Sequence, residues 1–140
     1  MNIKTEYMLE AGLPILHYET VQWMEDVTFY LDEFFTFKTL IDRKKYHNYI
    51  EQQVHNDIHR LVLVNIGRLQ SILKELSLHG EYLSDLMGEK KGAGPNIYRE
   101  KHKAMVDKIN KLITDIRTLK IEVYAFLVLK RHKQRHGFPI

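Results

Sequence analysis

The chain has 140 residues, 44% hydrophobic and 28% charged, which suits one soluble domain around one buried core. It contains no cysteine, which excludes disulfides, thiolate zinc sites and cysteine nucleophiles. The net charge of +3 conceals a gradient: residues 1–43 hold three Lys/Arg against eight Asp/Glu (net −5), residues 44–95 hold seven against six (+1), and residues 96–140 hold eleven against four (+7).

The N-terminal stretch MNIKTEYMLE has no apolar core of signal-peptide length, so a cytoplasmic location is expected. Pro14 then suits the first turn of a helix. From there Leu16, Thr20, Trp23, Val27, Tyr30, Phe34, Phe37 and Ile41 recur at alternating spacings of four and three, the signature of a helix seam. This predicts a first helix over about 15–42. Phe29 and Phe35 fall off that seam.

A second helix is predicted over about 46–79, apolar at Val54, Ile58, Leu61, Val62, Leu69, Ile72, Leu73 and Leu76. His79-Gly80 reads as its stop, with EYLSDLM forming a short extra helix at 81–87. GEKKGAGPN at 88–96 is the clear loop, with Asn96 as a cap for the next helix. That third helix, over about 96–133, carries a seam at Tyr98, His102, Met105, Ile109, Leu112, Ile116, Leu119, Val123 and Phe126. The economical arrangement is a single all-α domain, an antiparallel bundle of three long helices with a basic C-terminal tail from about residue 130.

Helix 2 holds a histidine ladder, His47, Glu51, His55 and His59, at every fourth residue. The ladder drifts by ~40° per step, so at most a pair can point inward together. With His102 on the third seam, the spacings H-x3-E, H-x3-H and H-x4-D resemble fragments of the hemerythrin pattern, a di-iron site inside a four-helix bundle. In that family the H-x3-E and H-x3-H pairs lie on different helices, whereas here they share one. The alternative this resemblance implies is a transition-metal bundle using His47, Glu51, His55 and His102.

The end of the chain gathers Lys130, Arg131, His132, Lys133, Arg135 and His136 within seven residues. With Lys103 and Arg117 on the outer face of helix 3, Lys130, Arg131, Lys133 and Arg135 form a candidate surface for an anionic partner, nucleic acid among the candidates. Arg131 and His136 also give an R-x4-H spacing that resembles the motif of HEPN-domain ribonucleases, which implies a second, enzymatic alternative. Finally, Ile121, Tyr124 and Val128 are apolar on a face opposite Leu119, Val123 and Phe126. A helix apolar all round is covered all round, so these three are expected to meet the N-terminal residues or another subunit. The sequence thus reads as a non-catalytic, oligomeric helical-bundle binding module with no resident cofactor.

Overall fold

A computed structural model describes residues 12–88 and 97–136, with side chains through Val128. It holds three helices: α1 (Leu13–Arg43), α2 (Tyr49–Gly88) and α3 (Ile97–His136). At ~1.5 Å per residue they are roughly 46, 60 and 60 Å long.

Local chemistry sets the helix ends. Gly12 takes φ 96°, a left-handed conformation in which a side chain would be strained, and Pro14 lies in the first turn of α1. At the other end the Lys44 amide donates to Ile41 O at 3.0 Å and the backbone turns extended. The start of α2 carries a variant of the capping box. Asn48 Oδ1 accepts from the Glu51 amide at 2.9 Å, while the Glu51 carboxylate accepts from the His47 amide at 2.7 Å.

The expected stop at His79-Gly80 does not occur, and α2 runs on through it to Gly88 in place of a separate short helix. Gly80 faces α1: a Cβ there would stand in ordinary contact, 3.7 Å from Thr20 Cγ2. His79, Gly80 and Leu83 are buried at that crossing, which offsets the weak helix propensity of glycine.

Cross-helix pairs give the topology. Thr20–Gly80 and Asp42–His59 run antiparallel between α1 and α2, and Arg68–Asp115 and Glu75–Lys108 do so between α2 and α3. Glu33–Lys120 and Phe37–Tyr124 make α1 and α3 parallel. The seams meet in one long core of Val27, Phe34, Phe37, Ile41, Val62, Leu69, Leu76, Ile109, Ile116 and their neighbours. A small second cluster of Leu16, Leu83 and Tyr98 closes the end where α1 begins.

Candidate functional site

The up-down-up arrangement brings the first turns of α1, the last turns of α2 and the first turns of α3 to one end of the bundle. Each contributes a polar side chain to its interior. His102 Nε2 lies 2.7 Å from Glu19 Oε1, and His102 Nδ1 lies 2.9 Å from His79 Nε2. His102 is wholly buried, and Glu19 and His79 are buried beside it. Trp23 stacks on the His102 ring, with centroids 5.0 Å apart and planes 21° from parallel. The Thr20 hydroxyl looks inward too, but it donates to Leu16 O at 2.9 Å within its own helix.

Buried polar groups persist where they satisfy one another, and here a carboxylate and two imidazoles do so in a line. A carboxylate only accepts, so His102 donates Nε2–H to Glu19. Burial, then the charges of His102 and Lys101, holds the His79 imidazole down at about 4, against an ordinary value of 6.5. Tyr82 lies beside His79 with ring centroids 6.1 Å apart, and Lys101 Nζ sits 4.4 Å from the Tyr82 ring centre.

Of this trio the sequence singles out His102 alone. Glu19 lies off the first seam, and His79 reads as part of a helix stop. The signal was nevertheless present: a histidine on an apolar seam needs polar partners, and an antiparallel register puts residues 19, 79 and 102 at one end of the bundle.

The histidine ladder breaks into separate roles. Glu51 belongs to the cap of α2. His55 Nε2–H donates to Ile41 O at 2.8 Å at the end of α1, and His59 pairs with Asp42 at 2.9 Å. His102 stands at the opposite end of the bundle, with both ring nitrogens taken up by Glu19 and His79. His47, Glu51, His55 and His102 are therefore not one site. Among the described residues no group of three or more His, Asp or Glu side chains is arranged to hold a metal ion.

Lys103 and Arg117 are exposed on α3, as expected. Lys130, Arg131, Lys133, Arg135 and His136 lie in the last turns of α3, and their side chains fall outside the described residues, as does the R-x4-H pair. Ile121, Tyr124 and Val128 are 71%, 47% and 59% exposed in the single chain. Tyr124 and Val128 line a shallow groove between α1 and α3. One part is lined by Phe29, Asp32, Leu40 and Tyr124, the other by Leu40, Arg43, Leu127 and Val128. Tyr124 lines both parts and packs edge-on to Phe37, with ring centroids 5.3 Å apart.

No protein family model matches the chain, and neither a curated protein nor a solved structure matches it. Among the described residues no helix is long and apolar enough to cross a membrane.

Proposed function

We propose that the chain is a non-catalytic helical-bundle binding module that assembles with a second copy of itself and offers its basic third helix and tail to an anionic partner. The observation that carries this reading is the apolar face of Ile121, Tyr124 and Val128, open to solvent in the single chain and continuous with the α1/α3 groove. Exposed apolar area of this kind is covered when a protein associates.

The charges along the groove favour a second copy as its occupant. Asp32 lines one part and Arg43 the other, eleven positions apart on α1 or ~16 Å along its axis. A two-fold axis between them sets the acid of one copy against the base of the other, as a self-complementary interface requires. For the anionic partner, support comes from exposed Lys103 and Arg117 and from the net charge of +7 over residues 96–140. Nucleic acid fits that chemistry.

Light scattering tests the assembly. The wild-type chain is expected at two or more times its 16.7 kDa protomer mass. Tyr124→Asp with Val128→Asp returns it to the protomer. Asp32→Lys weakens association, and adding Arg43→Asp restores it. A wild-type protein that stays at protomer mass at high micromolar concentration refutes the reading.

A further inference from the structure

We propose that Glu19, His102 and His79 form a one-proton relay that clasps the first turns of α1 and α3 to the end of α2, and that a second proton opens the clasp. The two imidazole centres are 5.1 Å apart while their facing nitrogens are 2.9 Å apart, so the nitrogens lie between the rings and share one hydrogen. Glu19 holds the far nitrogen of His102 at 2.7 Å.

With the Glu19 carboxylate as acceptor, two arrangements of hydrogens satisfy all of these contacts. In the first, both imidazoles are neutral: His79 Nε2–H donates to His102 Nδ1, and His102 Nε2–H donates to Glu19. In the second the chain holds one more proton: His102 donates through both nitrogens, to Glu19 and to His79 Nε2, and His79 carries its own hydrogen on Nδ1. A proton arriving at His79 Nδ1 is thus passed to His102 by shifting the shared hydrogen, and the Glu19 carboxylate balances the resulting cation. No contact is lost.

On the two imidazoles the next proton has no such place. It makes His79 a cation as well, with N–H facing N–H at 2.9 Å, and the shared bond is gone. Among the described residues the groups facing His79 are Tyr82 on its own helix, His102 and Lys101 from α3, and Glu19 from α1 through His102. Glu19, the one acid among them, contacts His102 and not His79. Burial and the two neighbouring bases hold His79 at about 4, so the open end binds a proton that the closed end refuses. Opening uncovers Leu16, Leu83 and Tyr98, the small cluster at that end of the bundle.

The test is imidazole 15N NMR on the full chain, with amide hydrogen exchange at 101–106 corrected for intrinsic rates. We expect both histidines as Nε2–H tautomers in the neutral chain, and a first proton that appears on His102 Nδ1 with protection retained. The opening equilibrium then rises by up to about tenfold per pH unit between 6.5 and about 4. His79→Phe makes opening independent of pH in this interval. Three results each overturn the proposal: His79 doubly protonated while these amides stay protected, wild-type exchange that ignores pH, or an unchanged pH response in His79→Phe. If His79→Phe does not fold, the wild-type spectra decide alone.

Discussion

Glu19 and His102 stand 83 positions apart in the chain, yet their side chains meet at 2.7 Å inside the bundle. Removing one partner strands the other, because a buried donor without an acceptor costs more than the bond itself contributed. Glu19→Ala should lower stability by about 1–3 kcal/mol in urea denaturation. Replacing both with leucine should cost less than the sum of the single changes, with a coupling of about 0.5–3 kcal/mol. Strict additivity would show that the two do not interact.

Acidification should weaken the fold in two stages. His79 has a lowered value in the folded chain, so the unfolded chain takes up its proton first. Its share of stability is whole above pH 6.5 and is lost as the pH falls toward 4, by at most roughly 3 kcal/mol and less to the extent that water reaches the ring. Asp115 then follows. Its hydrogen bond from Arg68 at 2.9 Å, aided by Lys111, holds its carboxyl below 3.8. Its share is therefore present above 3.8 and lost as the pH falls through the lowered value. Urea midpoints from pH 7 to 3 should show both stages. His79→Phe should remove the first and Asp115→Asn should reduce the second.

Two phenylalanines five positions apart on α1 should part company. Phe34 is fully buried in the core, and Phe34→Ala should cost about 3–5 kcal/mol. Phe29 is 63% exposed and lines the groove, so Phe29→Ala should change protomer stability by no more than about 0.5 kcal/mol. Its effect should appear instead as weaker association in light scattering. A large loss of protomer stability at Phe29 would argue that the groove is core.

The basic end should bind polyanions through their charge. With four to six cations each meeting a phosphate, oligonucleotide affinity should follow salt with a log–log slope of roughly −3 to −5. Neutralising Lys130, Arg131, Lys133 and Arg135 together should flatten that slope and leave the melting temperature nearly unchanged. Fluorescence anisotropy with single- and double-stranded probes measures this, and no binding at low salt removes nucleic acid as the partner.

Much of the fold was legible because a seam repeats. Val27, Phe34, Phe37, Ile41, Ile109, Leu112, Ile116, Leu119 and Val123 were all placed by spacing alone, and all are buried. The extent of α2 was not, because glycine ends helices in isolation, whereas here the burial of His79, Gly80 and Leu83 against α1 carries the helix through. The buried trio escaped for a similar reason. Glu19 and His79 have meaning only through His102, and that pairing depends on helix register rather than on any local motif. The ladder misled because even spacing on one helix says nothing of what each histidine meets: Ile41 O for His55, and Asp42 for His59.

If copies of the chain meet through the outer face of α3, a spin label at its edge must sense its twin, and the lack of cysteine allows a clean probe. Glu122 is exposed next to Ile121, so a nitroxide on Glu122→Cys reports from the edge of that face. Double electron–electron resonance on the singly labelled chain should give a defined distance between protomers. That signal should vanish when Tyr124→Asp and Val128→Asp are added. An unmodulated echo decay from the labelled wild-type background, at a concentration where the chain is folded, would contradict self-assembly through this face.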